Sequence, residues 1–466
     1  MKFFGNVLIF VGLVACLSLS AQQITGSIRG TVTDPMGAIV QGATLTAEQS
    51  ETGFSRTTIT DRSGNYVVLE LPVGHYRLQV TAKGFQEYVQ DGISVNVNEA
   101  VSVSPHLAIG SEIKVVQVTA DADLIAPTVT SMGKVVGERE LEDLPLNGRN
   151  FSQLGLLQPG VIPITPGLVE AGGGLRDGQP YSVNGQRPES NNFLIDGSDN
   201  FNGVDGGFVL EPPVDAISEF RILTHTAGAE FGHSTGSTTN IITRSGSNNF
   251  HGSAWDFLRN NAMDAKSFFA DSVEPLHRNQ FGGTFGGPLK KDRTFFFGYY
   301  EGIRNSQGET ARSTVPSDPE RQGNFGDLCP LNNGTFDASG NCIDNSTGKI
   351  SQTGGQLFNF FVPPNSPPQP ILFNQLPFIN PISQNLLPFY PRANSGPFTF
   401  VGTQLLTSND DQFGIRLDQY LTEHDQMDFR YSFSQGAQTD PLSTAGANVP
   451  GFPVGQNQRA QNFVAQ

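Results

Sequence analysis

Few residues in this sequence have the types and the spacing that catalysis requires. Gly232-His233-Ser234-Thr235-Gly236 matches G-x-S-x-G, the pattern around the nucleophilic serine of α/β-hydrolases. In those enzymes a strand precedes the serine and a helix follows it, whereas the TTNIITRS that follows here is β-branched and typical of a strand. Turn glycines explain the pattern better, and a hydrolase stays an alternative that a Ser234→Ala variant would test. We predict no enzyme, no catalytic or metal site and no cofactor.

The cysteines offer a structural link rather than a metal site. Cys329 and Cys342 stand thirteen positions apart in a stretch rich in Gly, Asn and Pro. In an exported protein such a pair is expected to form a disulfide across a surface loop. Zinc would need further ligands, and no C-x-x-C pair or nearby histidine supplies them.

The first 21 residues have the pattern of a secretory signal peptide. Lys2 precedes an apolar run from about residue 7 to 19, and small residues come before a polar shift. This run is shorter than the ~20 apolar residues of a membrane-spanning helix. Lipoprotein processing, which would leave Cys16 as an acylated N-terminus, is the alternative. Both routes predict export.

Composition favours strands. The 466 residues include 53 Gly, 30 Pro and 35 Phe, which suits strands separated by turns better than long helices. The formal net charge is -16 and no Lys/Arg-rich run is present, so a nucleic-acid partner is not expected.

Residues 23 to 110 form the first region, in which short alternating segments are separated by turn residues. This pattern predicts a small β-sandwich of about seven strands. In GHYRLQVT, Tyr76, Leu78 and Val80 share one face, which should be core, and the residues between them share the wet face.

Residues 111 to 245 form the second region, where Asn, Gly and Ser clusters surround short apolar strands. A compact α+β domain is expected. Val214, Ile217 and Phe220 have helix-like spacings, and residues 221–225 are predicted to form a strand.

From residue 246 to 466, apolar and polar residues alternate for about ten residues at a time, as in a transmembrane β-barrel with lipid outside and a wet lumen. The pattern is clearest in Met427–Phe433 and is repeated at 279–289 and 412–421. A helix is an alternative for 413–424, because its apolar residues also fit a 3.6-residue period.

Five aromatic rings occupy both faces of DRTFFFGYYEG, between Phe295 and Tyr300. Short connections are predicted after residues 289 and 421, and long ones around 260–278, 305–410 and 436–458. Outer-membrane barrels alternate short periplasmic turns with long extracellular loops in this way. The rings are therefore expected near the periplasmic interface, where aromatic girdles lie and a ring can face either way.

The first region resembles the carboxypeptidase regulatory-like domain. The resemblance rests on one set of motif residues: Gly64, Tyr66, Leu71, Pro72, Gly74, Tyr76 and Leu78. The family name implies no peptidase activity here, because no histidine belongs to an H-x-x-E or H-E-x-x-H motif.

The second region resembles the plug domain of TonB-dependent outer-membrane receptors, particularly those that carry a regulatory-like domain in front of the plug. The motif residues that carry this resemblance are Asp196, Gly197, Glu219, Phe220, Glu230, Gly232, Asn240 and Arg244. The expected fold is therefore mainly β: a small β-sandwich (23–110), an α+β plug domain with its linker (111–245) and the first strands of a transmembrane antiparallel β-barrel (246–466), which is incomplete.

The resemblance implies import of a scarce solute that is too large for porins. The plug and the extracellular loops would bind the solute, and the TonB-ExbB-ExbD complex would pull on a TonB box to displace the plug. The candidate box is Val115-Val116-Gln117-Val118-Thr119-Ala120, because an extended β-branched hexapeptide can pair edge-on with a partner strand. The same residues would also suit the last strand of a linker. A surface-exposed binding or adhesion protein without transport is the alternative function.

Two further expectations concern the third region. A barrel that encloses a plug has about 22 strands of ~10 residues, whereas we count five, with RAQNFVAQ opening a sixth, so we predict the N-terminal part of a longer receptor or a truncated reading frame. In the long loop, Phe358, Phe360 and Phe361 could stack on a sugar or aromatic ligand, but packing of the loop itself is the preferred interpretation.

Overall fold

The computed structural model describes most of the chain: residues 25–110, 116–119, 132–163, 181–203, 207–225, 235–266, 272–360, 363, 366–422, 425–441 and 453–465. The predicted signal segment 1–21, with Cys16, lies outside the described residues. The fold is mainly β. Among the described residues, no helix is long and apolar enough to cross a membrane.

The N-terminal domain is a β-sandwich. Its strands are β1 (Thr25–Thr31), β2 (Thr44–Gln49), β3 (Ser55–Ile59), β4 (Asn65–Pro72), β5 (Gly74–Thr81), β6 (Tyr88–Val95), β7 (Ala100–Ser102) and β8 (Val116–Thr119). One sheet has the order β4-β1-β7 and the other β3-β2-β5-β6-β8. The predicted alternation in β5 is confirmed, since Tyr76, Leu78 and Val80 are fully buried and the residues between them are exposed.

The strands of the central domain are β9 (Met132–Gly137), β10 (Val161–Pro163), β11 (Tyr181–Val183), β12 (Asn192–Ile195), β13 (Ser198–Asp199), β14 (Phe201–Asn202), β15 (Gly207–Phe208), β16 (Ile217–His225) and β17 (Thr238–Thr243). Five of them form the main sheet, in the order β13-β12-β17-β16-β9. Helix α1 (Glu138–Asp143) follows β9, and 3-10 turns span Asn147–Arg149, Phe151–Leu157, Pro188–Ser190 and Val214–Ala216.

The helix-like spacing predicted near residue 217 is wrong. Only Val214–Ala216 forms a 3-10 turn, and β16 runs from Ile217 through Phe220 to His225. Because β16 lies between β9 and β17 and nearly all its residues are buried, its apolar side chains do not have to alternate. A strand buried on both faces cannot be distinguished from a short helix by periodicity alone.

The third region is one antiparallel sheet of six long strands with the order β18-β19-β20-β25-β26-β27. These are β18 (His251–Asn260), β19 (Leu276–Lys290), β20 (Thr294–Thr314), β25 (Thr399–Tyr420), β26 (Gln426–Asp440) and β27 (Val454–Ala465). The connection from β20 to β25 contains β21 (Gly334–Phe336), β22 (Cys342–Asp344), β23 (Phe358–Asn359), β24 (Gln369–Pro370), α2 (Leu328–Leu331) and α3 (Pro381–Leu386). It also has 3-10 turns at Glu320–Gln322, Leu372–Asn374 and Leu387–Phe389, and another turn, Asn261–Met263, follows β18.

The six-stranded sheet has one apolar face and one polar face. In β26, Met427 and Phe429 are exposed on one face, whereas Arg430 and Ser432 are buried on the other, against the central domain. The alternation predicted for this region is confirmed, and the helix alternative for 413–424 is wrong because residues up to 420 belong to β25.

Long and short connections alternate as predicted, but the strands extend further. β20 has 21 residues and β25 has 22, so the long connection spans residues 315–398 rather than 305–410. The extensions, such as 305–314, are mostly polar on both faces, which removes the apolar–polar signal while the backbone ladder continues. RAQNFVAQ belongs to the sixth strand, β27.

Candidate functional site at the junction of three domains

A tight turn in the central domain carries the carboxylate at the centre of the junction. Asp196 and Gly197 connect β12 to β13, and their φ angles are 44° and 74°. Two consecutive positive φ values are what a two-residue type I′ hairpin turn requires, and Asp-Gly is a preferred pair for it. Asn240 supports the turn, because its Oδ1 accepts a hydrogen bond of 3.3 Å from the Gly197 N–H.

The Asp196 side chain is only 1% exposed and is held from within the central domain. Its Oδ1 accepts from the Thr243 N–H at 2.7 Å, and its Oδ2 accepts from the Thr243 hydroxyl at 2.6 Å. Thr243 is the last residue of β17, so the turn and the end of that strand are fixed together.

Two arginines of the six-stranded sheet reach the same carboxylate. Arg416 in β25 and Arg430 in β26 stand opposite each other in the ladder. Arg430, 2% exposed, is ion-paired with Asp196 and donates to the Ile195 carbonyl at 3.1 Å. Arg416 lies 3.7 Å from Asp196 and donates to the Thr243 carbonyl at 3.0 Å. A buried anion of the central domain is thus balanced by cations of the sheet, as burial of charge requires.

A second buried carboxylate joins the central domain to the N-terminal sandwich. Glu219 in β16 is 2% exposed, and its two oxygens lie 3.2 and 3.3 Å from the Val97 backbone nitrogen, whose N–H they accept. Burial raises the pKa of Glu219 to about 7, and the Val97 N–H and the charge of Arg221 oppose that rise. Burial also lowers the pKa of Arg221.

Aromatic rings of β20 form a further contact at the junction, in addition to those of Asp196 and Glu219. Phe295, Phe297 and Tyr299 are buried on the face that meets the central domain, where Phe297 and Tyr299 cluster with Ala216. Tyr300 on the opposite face is 41% exposed. The prediction that the inner face of the sheet is wet is wrong for Phe297 and Tyr299, because the central domain packs an apolar surface against them.

The sandwich also contacts the sheet directly. Phe54 lies 5.0 Å from Tyr420, centroid to centroid, and Tyr420 in turn lies 5.9 Å from Phe295. The Asn248 N–H donates to the Glu51 carbonyl at 3.0 Å. These contacts lie near the start of β20 and the end of β25. Short turns join β20 to β19 and β25 to β26 at that end of the sheet, so the sandwich lies at the short-turn end.

A cavity of about 430 Å³ remains where the three parts meet. The sandwich contributes His75, the central domain contributes Glu219 and Arg244, and the sheet contributes Asp418 and Tyr420. No group of three or more His, Cys, Asp or Glu residues within the described ranges is arranged to hold a metal ion.

The remaining motif residues of the central domain have structural contacts. Phe220 is fully buried and meets the Phe151 ring at 5.6 Å. Arg244 is ion-paired with Glu138 at 3.0 Å and with Glu142 at 2.7 Å, which ties the end of β17 to helix α1. The motif residues Glu230 and Gly232 lie outside the described residues, as does Ser234 of the G-x-S-x-G pattern.

The candidate TonB box is partly described. Val116–Thr119 form β8, which pairs in parallel with Tyr88–Asp91 of β6 and is the last strand of its sheet. Val115 and Ala120 lie outside the described residues.

The long connection contains a cross-linked unit. Cys329 and Cys342 form a disulfide that joins α2 to β22, and both sulfurs are close to Gly334, where an added Cβ would lie 2.4 Å from the Cys342 sulfur. Phe360 is 72% exposed, so the preferred packing role is wrong for it, whereas Phe358 is half-buried and Phe361 lies outside the described residues.

Two family models match the chain. Residues 27–108 match the carboxypeptidase regulatory-like domain, and residues 242–466 match the outer membrane beta barrel domain. Over 313 residues the chain is 27% identical to the TonB-dependent transporter Oar of Myxococcus xanthus, a match that covers 63% of this chain and 28% of that protein. The chain is therefore similar to a TonB-dependent transporter, and its residues 242–466 match an outer membrane beta barrel domain. It spans little more than a quarter of the length of that relative.

Two solved structures of outer-membrane proteins are partly similar to this chain. The ferric enterobactin receptor PfeA of Pseudomonas aeruginosa is 14% identical with a TM-score of 0.38, over 70% of this chain and 35% of that one. The outer membrane transporter YddB of Escherichia coli is 10% identical with a TM-score of 0.40, over 72% of this chain and 36% of that one.

Sequence reasoning about this transporter homologue missed the partners of its buried acids. Arg416 and Arg430 fall on the polar face of the alternating patterns at 412–421 and 427–433, but nothing in the local pattern connects them to Asp196, more than 200 residues earlier. One signal in the sequence is that both arginines fall on the inner face of the predicted barrel. Where that face meets the predicted plug, a buried arginine needs a counter-charge.

Proposed function

We propose that this homologue is an energy-coupled importer in which residues 111–245 act as a plug against the barrel region 246–466. The observation that carries the proposal is the buried ion pair of Asp196 with Arg430, which joins the central domain to a strand of the outer membrane β-barrel domain. A separate domain held on the polar face of a barrel sheet blocks the path that a solute would take.

Displacement of the plug must separate these charges. A buried charge that loses its partner costs about 3–5 kcal/mol in typical proteins, because it stays in the interior without a counter-charge. The two charges therefore resist small movements of the plug that separate them while water is still excluded. Once water enters, the separated carboxylate and guanidinium groups are hydrated again, and the cost of holding the plug open falls. A pulling force applied for a short time therefore suits this contact.

The TonB-ExbB-ExbD complex would supply that force through residues 115–120. TonB would add a strand to the box by backbone hydrogen bonds, the mode by which extended peptides join a sheet edge. Support comes from β8, which already has strand geometry and forms the edge of a sheet.

The solute is proposed to be scarce, too large for porins, and bound from the side of the long connections, which includes the disulfide-linked unit within 315–398. Glycans, siderophores and peptides are the three classes to present. Phe360, which is largely exposed there, could contact a ring or an apolar face of such a solute.

Growth and uptake would test the proposal. A strain that lacks the gene is given members of each class as sole source of carbon, iron or nitrogen, and the lost phenotype is complemented with wild type or with a variant in which residues 115–120 are a Gly/Ser hexapeptide. We expect wild type alone to restore uptake, and a protonophore to abolish it. Binding at the cell surface that persists without any energy-dependent uptake would overturn the proposal in favour of an adhesion protein.

A further inference from the structure

The N-terminal sandwich covers the central domain on the side of the short turns. It does so through three kinds of contact: the Val97 N–H to Glu219, the Glu51 carbonyl to the Asn248 N–H, and the Phe54 ring to Tyr420. Two of the contacts, those to Asn248 and Tyr420, are made to residues of the barrel region 246–466. The sandwich therefore bridges both parts that must separate when a plug moves.

Among these contacts, the one to Glu219 is chemically unusual. The interface buries a whole carboxyl group against a backbone N–H of the opposite domain. A neutral carboxyl group makes this hydrogen bond at little cost, whereas an ionised one must lose its hydration.

Other charged groups face the same region from each neighbouring element, and the acids among them outnumber the arginines. Arg221 comes from β16 itself and Glu99 from the sandwich. The cavity beside Glu219 adds groups from all three parts: Glu51, His75, Glu138, Arg244, Arg416, Asp418 and Asp428. Arg244 and Arg416 are each engaged by carboxylates, so neither is a dedicated counter-ion for Glu219.

We propose that the sandwich is a pH-sensitive latch, which docks on the central domain when Glu219 is protonated and loosens when Glu219 is ionised. The latch would hold the plug from the periplasmic side, in addition to the Asp196 contact. This last step rests on the proposed function, whereas docking and its pH dependence do not.

The sign of the effect follows from linkage. Docked Glu219 has a pKa of about 7, and an undocked, hydrated glutamate would titrate near its ordinary value of 4.5. The docked state therefore binds more protons between these values, so docking is fully favoured below the lower value and weakens as pH rises through the upper one. Between pH 5 and pH 8 the docking constant is expected to fall by up to about a hundredfold.

Hydrogen exchange at the Val97 amide would measure docking directly. The full-length protein in outer membranes is exchanged at pH 5.5 and pH 8, and the protection of the peptide that contains Val97 is corrected for the intrinsic rate at each pH. We expect protection to drop at least tenfold at pH 8 in wild type. Glu219→Gln should stay protected at both pH values, because a neutral amide oxygen accepts the same hydrogen bond. Glu189→Gln, which changes an exposed acid of the same domain, should behave like wild type.

Equal protection at both pH values in wild type, or an unchanged pH dependence in Glu219→Gln, would overturn the latch. If Glu219→Gln lowers protection through misfolding, Glu219→Asp decides: a shorter acid that folds should keep the pH dependence with weaker docking.

A cross-link tests whether the latch restrains transport. Glu51→Cys with Asn248→Cys places two thiols on neighbouring residues across the interface, where the Asn248 amide nitrogen lies 3.0 Å from the Glu51 carbonyl oxygen. Uptake should fall at least tenfold when the pair is oxidised and return on reduction, with reduced wild type as control. Undiminished uptake in the oxidised pair would contradict the restraint. Absence of energy-dependent uptake in wild type would instead contradict the proposed function and leave the exchange result to judge docking.

Discussion

Asp196 combines a backbone conformation and a charge that are needed for different reasons. Its positive φ closes the turn before Gly197, and its carboxylate ties β17 to two arginines of the barrel strands. A substitution that keeps the turn but removes the charge separates the two roles.

Asp196→Asn is expected to keep the turn, because Asn tolerates positive φ and its side-chain oxygen can still accept from Thr243. It removes the counter-charge of Arg430, so the contact between central domain and barrel should weaken by about 3–5 kcal/mol. The measurement is the urea concentration at which a protease cuts the central domain in outer membranes. Asp199→Asn, an exposed acid three residues later, should leave this midpoint unchanged. Equal midpoints for Asp196→Asn and wild type would show that the pair does not hold the domain.

For single residues, the sequence predicts the backbone conformation of Asp196 better than it predicts the residue that pairs with its carboxylate. The Asp-Gly pair indicates a tight hairpin turn, since few other dipeptides accept two positive φ angles. The pairing of Asp196 with Arg430 depends on how two separately folded parts meet, which no local pattern encodes.

The strands of the third region present apolar side chains along only part of their length. In β25, Ile415 and Leu405 lie on the same face and are 51% and 50% exposed. Ten residues separate them, or roughly 33 Å along the strand at ~3.3 Å per residue. Measured from the short-turn end of β25 at Tyr420, Ile415 lies five residues and Leu405 fifteen residues along the strand. With a strand tilt of ~40° these positions are roughly 13 and 38 Å deep, so an apolar band of ~25 Å that begins near the short turns includes Ile415 but not Leu405.

Ile415→Arg should accordingly impair assembly in the outer membrane, because a cation in the lipid band costs about 2–4 kcal/mol. Leu405→Arg, with the same exposure on the same strand, should cost less than about 1 kcal/mol. Protein level in outer membranes and the urea midpoint of the barrel domain give the comparison. Equal losses for the two variants would contradict the placement of the band.

The disulfide-linked unit is a second element with its own stability. Reducing a disulfide that closes a loop of about 15 residues costs roughly 3 kcal/mol. We expect Cys329→Ser with Cys342→Ser to make residues 328–375 sensitive to protease added to intact cells, while the six-stranded sheet stays resistant. Wild type treated with reductant should show the same cut. An unchanged digestion pattern would mean that the surrounding hydrogen bonds, such as those of Asn374, suffice.

The alternation of apolar and polar residues predicts the middle of these strands but not where the strands begin and end. The alternation in Met427–Phe433 depends on two different environments on the two faces. Beyond the band both faces are polar, and next to the central domain both faces of Phe295–Tyr300 are apolar, so the signal vanishes although the strand continues.

Taken as a whole, the molecule consists of three units joined by a few buried polar contacts and one aromatic cluster. Glu219 joins the sandwich to the central domain, and Asp196 joins the central domain to the barrel strands. Phe54 and Phe295 both contact the Tyr420 ring. When the domains separate, hydrogen bonds to water can replace these polar contacts. Such contacts therefore suit domains that must separate and dock again. Short motifs in the first two units resemble known families, and alternation predicts the strands of the third. The contacts between the units involve residues from 122 to 366 positions apart, which no local pattern predicts.

Cross-linking to TonB in living cells would test the central claim most directly. Val118→Cys is paired with a series of single cysteines in TonB, with the exposed sandwich residue Thr57→Cys as control. The account predicts disulfide-linked complexes for Val118→Cys that disappear when Val116→Pro is added, because proline removes a backbone donor from the box. If no position from 115 to 120 cross-links to TonB while the protein is correctly inserted in the outer membrane, the chain is not energised through this segment and the importer account is contradicted.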